Sequence, residues 1–153
     1  MAVHSVHGNK SCAKGRREFI AAPFCSRKEG YSMVIEIDFN SDQALYIQLR
    51  NQIIMGIATS QIHEGDALPS VRALADSIGI NMHTVNKAYT VLKQEGYIKL
   101  DRRKGAVISV DFDHLAALQD TKADLLILLA EASCRGISSD EIHDLVDEIY
   151  QSY

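Results

Sequence analysis

Between Met82 and Lys93 the polar and apolar side chains separate by position. Met82, His83, Asn86, Lys87, Thr90 and Lys93 fall on one side of a 3.6-residue period. Amides, hydroxyls and ammonium groups arrayed along a helix can donate to the edges of base pairs, lysine to guanine and asparagine to adenine. A few residues further on, Asp101-Arg102-Arg103-Lys104-Gly105 concentrates three cations in a short tip, a chemistry suited to phosphate. No G-x-S-x-G, H-E-x-x-H, Walker loop or strand-borne G-x-G-x-x-G accompanies them, so no catalytic residue is assigned and an enzyme is not expected.

The elements that must hold these residues follow from the flanking pattern. The spacing of Val71, Leu74, Ala75 and Ile78 predicts a helix capped by Ser70 and stopped by Gly79. A second helix starts at Asn81, with Val85, Ala88, Tyr89 and Leu92 as its inward stripe, and Gly96 ends it. Two short helices, a glycine turn and an outward polar face describe a helix-turn-helix; a helical hairpin with a merely solvated face is the plainer alternative. Tyr97-Ile98-Lys99-Leu100 and Ala106-Val107-Ile108-Ser109-Val110 read as two strands flanking the basic tip. A hairpin placed directly after a helix-turn-helix makes a winged helix, with the second helix in the major groove and the wing on the backbone or minor groove.

From Ala44 to Val110 the chain resembles the DNA-binding domain of the GntR family of bacterial regulators. Leu68-Pro69-Ser70-Val71-Arg72 is similar to the family's L-P-S-x-R. Asn81-Met82-His83-Thr84-Val85-Asn86-Lys87-Ala88-Tyr89 is similar to N-x-x-T-V-x-[RK]-A-Y of its YtrA-type branch, and Glu95-Gly96 before a basic wing fits as well. The resemblance implies that Arg72 holds DNA and that Thr84 contacts a phosphate. The DNA-facing set is then Ser70, Arg72, Asn81, Met82, His83, Thr84, Asn86, Lys87, Arg102, Arg103, Lys104 and Gly105. Two departures bear on which sequence is read. Arg103-Lys104-Gly105-Ala106 stands where the family wing reads G-x-G-T, and Met82 and Asn86 stand where some members carry arginines.

A net charge of −4 hides an uneven distribution. Residues 81–110 hold six cations against two carboxylates, whereas residues 111–153 hold two against ten. A basic head and an acidic rear fit a protein that turns one face to DNA, with ordinary scatter of surface charge as the alternative. Cys12, Cys25 and Cys134 have no metal or redox spacing, and an odd count without a secretion signal favours a reducing cytoplasm. No apolar run approaches membrane-spanning length. No cofactor or metal is expected; His63, His114 and His143 lack ligand partners at metal spacing and read as surface residues.

Residues 1–32 lack a sustained period and are basic. They read as a disordered extension, and three origins compete: a DNA-holding arm, a targeting segment, or a stretch upstream of a start at Met33. The last is favoured, because Lys28-Glu29-Gly30 is what a purine-rich ribosome-binding sequence would encode. Residues 33–110 form the winged-helix domain. Val34 to Phe39 alternates like a strand. Ser41 or Asp42 caps a helix from about Ala44 to Ser60, with Leu45, Leu49, Ile53 and Ile57 inward, Ile54 and Ala58 widening the stripe, and Ile47, Gln48 and Arg50 on a solvated or partner side. Ala67-Leu68 pairs with the wing.

Residues 111–153 read as two helices, the first stopped by Gly136 and the second started by Ser138 or Ser139 with Glu141. They cannot cover the Leu125-Leu126-Ile127-Leu128-Leu129 run between them, so a second copy of the chain is expected. The dimerisation set is Leu118, Leu125, Leu126, Leu128, Leu129, Ile142, Leu145, Val146 and Ile149; packing back onto the chain's own winged helix is the alternative. The YtrA-type branch is similar in having a short two-helix tail and no separate ligand domain. The expected fold class is thus mainly α with a small β wing: a winged helix-turn-helix plus a two-helix dimerisation region. The expected function is a cytoplasmic homodimeric repressor on double-stranded DNA near its own operon, which the resemblance associates with transporters. A roomy site for a small-molecule effector is not expected in the tail. A protein-interaction module on a winged-helix scaffold would instead carry apolar anchors on the outward face, where Met82 alone is apolar.

Overall fold

The computed structural model describes residues 19–25, 32–110 and 112–152. Their elements in chain order are β1 (Phe19–Cys25), β2 (Ser32–Asp38), α1 (Leu45–Ala58), α2 (Val71–Ile78), α3 (Met82–Gln94), β3 (Ile98–Asp101), β4 (Gly105–Ile108), α4 (His114–Cys134) and α5 (Ser139–Gln151). The architecture is the expected mainly helical one with a small wing and a helical C-terminal region. The local signals of α2 and α3 act where the sequence places them. Helix α1 instead has Ala44 at its N-cap and no side-chain cap, so neither Ser41 nor Asp42 caps it, and Ser41 Oγ accepts from the Gln43 amide in the turn before the helix. Ser70 Oγ accepts from the Ala73 amide and caps α2, and Gly79, at φ 68°, takes the left-handed conformation that ends it. Asn81 Oδ1 accepts from the His83 amide and caps α3.

The core forms where three stripes meet. Leu49 and Ile53 of α1, Leu74, Ala75 and Ile78 of α2, and Val85, Ala88, Tyr89 and Leu92 of α3 are all buried. Ile35 and Ile37 of β2 close one side, with Ile98 and Ile108 of the wing on another. β3 and β4 pair antiparallel, from Ile98 opposite Ile108 to Asp101 opposite Gly105. The expected third partner is present: Ala67 bridges to Val107, and the Leu68 amide donates to Ala106 O at 2.8 Å.

Three further expectations are corrected. Residues 19–25, inside the stretch read as disordered, form β1, whose antiparallel pairing with β2 runs from Phe19 opposite Asp38 to Cys25 opposite Ser32. Residues 1–18 and 26–31, and with them Cys12 and the Lys28-Glu29-Gly30 segment, lie outside the described residues. Gln48 is not on a solvated side. It is buried, because β2 runs past α1 and a primary amide offers a donor and an acceptor to its backbone. Gln48 Oε1 accepts from the Asp38 amide at 3.0 Å, and Nε2 donates to Asp38 O at 3.0 Å and Gln43 O at 2.9 Å. One turn on, Gln52 grips the Glu36 amide and carbonyl in the same way. Finally, Ala58 is exposed, since the chain folds back over Gly56, whose carbonyl accepts from the Gln61 and Ile62 amides. Ile62, beyond the helix, is the residue of this segment that joins the core.

The tail is built from equally good local signals. Asp113 caps α4 by accepting from the Leu115 and Ala116 amides. Ser138 and Glu141 form a reciprocal capping box at the start of α5. The Glu141 carboxyl is held below the usual range by hydrogen bonds from the Ser138 amide and hydroxyl. Among the described residues, however, none in α4 or α5 is buried.

Candidate nucleic-acid interface

α3 places the expected readers together on one open face. Met82, His83, Asn86, Lys87, Thr90 and Lys93 are all exposed, while Thr84 is half-buried. Met82 and His83 occupy the first two helical positions, and the Thr84 and Val85 amides bond to Asn81 O. Ser70 and Asn81, expected at DNA, have their side-chain oxygens committed to the caps of α2 and α3. Their observed role is thus to fix the starts of α2 and α3. Arg72, exposed at the second position of α2, stands clear beside them.

The wing tip owes its shape to a residue counted in the sequence only as a negative charge. Asp101 Oδ1 accepts from the Arg103 amide at 2.7 Å and the Lys104 amide at 2.8 Å, closing an Asx-type turn. Those two bonds hold the Asp101 carboxyl below its ordinary value of 3.8, with the charges of Lys104 and Lys99 adding to the effect. Arg102, Arg103 and Lys104 are left exposed around the turn. Gly105 sits at φ 79° with nothing within 4 Å of an added Cβ, so glycine is needed there for the backbone angle and not for space.

Tyr89 and Tyr46 are two further contributors. Tyr89 OH donates to Pro69 O at 3.0 Å and so ties α3 to the residue preceding the Ser70 cap. Burial pushes its phenol well above the ordinary range, which keeps it a neutral donor. A buried tyrosine needs a partner for its hydroxyl, but its sequence neighbours do not reveal which carbonyl answers. Tyr46, in the first turn of α1, lies under the Lys87 ammonium, with Nζ 3.9 Å from the ring centroid. At the far end of α3, Arg50 Nε meets Glu95 Oε2 at 2.7 Å, a partly exposed pair that joins α1 to the C-cap of α3. Between α2, α3 and the wing runs a groove of about 520 Å³, lined in part by Ser70, Asn86, Thr90, Lys93, Leu100 and Gly105. It joins the exposed polar face of α3 to the wing, which it meets at Leu100 and Gly105.

The sequence profile described as bacterial regulatory proteins of the gntR family matches residues 45–108, from α1 to the end of the wing. The HTH-type transcriptional repressor YtrA of Bacillus subtilis (strain 168) is 33% identical over 119 residues, which span 76% of this chain and 92% of that protein. The chain belongs to the GntR family.

Solved structures share the architecture. A transcriptional antiterminator from Listeria monocytogenes EGD-e superposes with a TM-score of 0.68 at 30% identity, covering 76% of this chain and 89% of that one. YtrA from Sulfolobus acidocaldarius, a GntR-family transcription factor, superposes at 0.51 with 38% identity, covering 61% of this chain and 97% of that one. These relatives are regulators rather than enzymes, in agreement with the absence of a catalytic motif. No helix among the described residues is long and apolar enough to cross a membrane, and no metal-binding cluster of His, Cys, Asp or Glu occurs among them.

The dimerisation set lies outside this interface. Leu118, Leu125, Leu126, Leu128, Leu129, Leu145, Val146 and Ile149 are 40–68% exposed, and Ile142 is half-buried. A T-shaped contact between Tyr97 and Phe112, with centroids 4.9 Å apart, marks where the winged helix passes into the tail.

Proposed function

We propose that this GntR chain is a cytoplasmic repressor that binds an inverted-repeat operator as a two-fold dimer through its tail. Its operator lies near its own operon, one that includes a transporter. The observation that carries the reading is the shared open side of α3 and the wing. Asn86 lines the groove that α3 shares with the wing, Lys87 is exposed next to it on the same helix, and the tip's three cations are held around the Asp101 turn. Base edges select the sequence through the helix, and phosphates hold the wing. Two-fold protein symmetry imposes two-fold operator symmetry, with half-sites separated by roughly one helical turn. The uncovered leucines of α4 and α5 support the dimer, since apolar burial contributes about 25 cal/mol per Å². The similarity to a protein named as a repressor supports the sense of regulation.

Binding measured over a salt series, on a duplex selected from a random pool and on its scrambled counterpart, tests the division of labour. Lys87→Ala is expected to cost about 1–3 kcal/mol on the selected duplex and to blur one base position per half-site. Arg103→Ala is expected to weaken both duplexes alike and to lower the salt slope by about one unit per wing. A change of sequence preference from Arg103→Ala but not from Lys87→Ala would reverse the roles of reader and clamp. A selected consensus without inverted symmetry would remove the dimer.

A further inference from the structure

We infer that Tyr46 is a positioning residue for the recognition lysine, holding the Lys87 ammonium where α3 uses it on DNA; this rests on Lys87 being a base reader. The two residues are far apart in sequence and on different helices, yet Lys87 Nζ lies 3.9 Å from the centroid of the Tyr46 ring. The ring is a fixed platform: Tyr46 is half-buried and packs against the hydrophobic core through the first turn of α1. Lys87 is exposed on the outer face of α3 and, among the described residues, makes no ion pair.

A lysine side chain is a flexible stem carrying a strongly hydrated point charge, so an unrestrained one must be ordered when it meets a base. An ammonium over an aromatic face is attracted by the ring quadrupole without giving up its hydrogens to an acceptor. Tyr46 therefore narrows the positions of the charge while leaving the N–H donors free for guanine oxygen and nitrogen. A carboxylate in the same place would neutralise the charge and compete for those donors. The contact acts through Lys87, so it affects sequence-specific binding and leaves the wing's phosphate contacts untouched.

The test combines a mutant cycle with a measurement on free protein. Tyr46→Leu in the full chain is expected to weaken binding to the selected duplex about two- to fivefold, the range of an exposed cation–π contact. Binding to scrambled duplex should stay unchanged, and Tyr46→Phe, which keeps the ring face, should bind like the parent. In a Lys87→Ala background, Tyr46→Leu should cost nothing more. An equal loss in that background, an equal loss on scrambled DNA, or failure of Tyr46→Phe to restore binding overturns the inference. If Tyr46→Leu melts early, Tyr46→Met fills the space without a ring and replaces it in the cycle. In the free protein, the Lys87 Hε resonances should be shifted upfield by the ring current in the parent and in Tyr46→Phe, and should return to ordinary values in Tyr46→Leu. Absence of that shift overturns the contact itself. A Lys87→Ala chain that keeps full operator preference overturns the base-reading role, and the ring-current shift tells that failure from a failure of the contact.

Discussion

The winged helix and the tail use the same residue types to opposite ends. In α1, α2 and α3 most apolar residues lie on one stripe per helix, Met55 and Met82 being exposed exceptions, and the stripes converge until Leu92 and Ile78 have no exposed surface. In α4, Leu125 to Leu129 are five apolar residues in succession, which covers the whole circumference of a 3.6-residue helix. A single neighbouring helix could cover only one side of such a cylinder, and here all five are exposed, Leu126 at 68%. Capping does not distinguish the regions, since Ser70 and Ser138 each accept from an amide three residues on. Local signals make helices in both; only the winged helix has the third and fourth elements that turn helices into a core.

The largest expected effect breaks this comparison directly. Leu92→Ala should cost about 2–5 kcal/mol in denaturant unfolding of the winged helix, because it opens a cavity in a closed core. Leu126→Ala should leave that transition within about 0.5 kcal/mol and act on association alone. Comparable unfolding costs at the two positions would mean that the tail folds onto the winged helix. Next in size, a chain ending after Val110 should sediment as a monomer. It should bind the two-half-site duplex on the order of a hundredfold more weakly, since the second half-site contact is no longer intramolecular. A truncated chain that still dimerises would move the interface into residues 33–110.

Much of this contrast was legible in sequence. The i, i+3, i+4, i+7 spacing of Val71, Leu74, Ala75 and Ile78, the caps at Ser70 and Asn81, and the glycine stop at Gly79 are local, and the structure has them all. The exposed readers of α3 follow from the same period. What escaped was set by partners distant in the chain. Gln48 looks solvated until β2 arrives beside it, Tyr89 has no visible acceptor until Pro69 is folded under it, and the Lys87–Tyr46 contact joins two helices. Asp101 is the local exception. An Asx turn was readable from an aspartate before Arg102-Arg103-Lys104-Gly105, but counting charge concealed it.

Smaller effects sharpen the comparison within the winged helix. Tyr89→Phe removes one buried hydrogen bond and leaves the Pro69 carbonyl without that donor, so a loss of about 1 kcal/mol is expected in thermal or denaturant unfolding. A chain starting at Met33 is expected to melt within a few degrees of the full chain, because Gln48 and Gln52 still hold β2 and Ile35 and Ile37 remain in the core. A large drop in Tm would make β1 part of the stable unit.

The smallest effect is in acid. The Asp101 carboxyl is lowered in the folded state, so its contribution is complete above the unfolded value near 3.8 and disappears as pH falls through the lower folded one. Protection of the Arg103 and Lys104 amides in hydrogen exchange should therefore be flat from neutral pH to about 5 and fall only in the acid limb. Loss of protection near neutral pH would place its cause elsewhere than Asp101.

The grip of Gln48 and Gln52 on β2 has a consequence for how the molecule behaves among its own copies. A strand edge with unfilled amides and carbonyls is a template on which another chain can polymerise. Glu36 and Asp38 turn their backbone groups to the two glutamines, and alternation along the strand turns those of Ile35 and Ile37 the other way, toward β1. One edge of β2 is closed by side chains that belong to α1, and the other by a strand contributed from before residue 26. Shortening the chain to Met33 keeps the first closure and opens the second, which puts solubility at concentration, rather than folding, at stake.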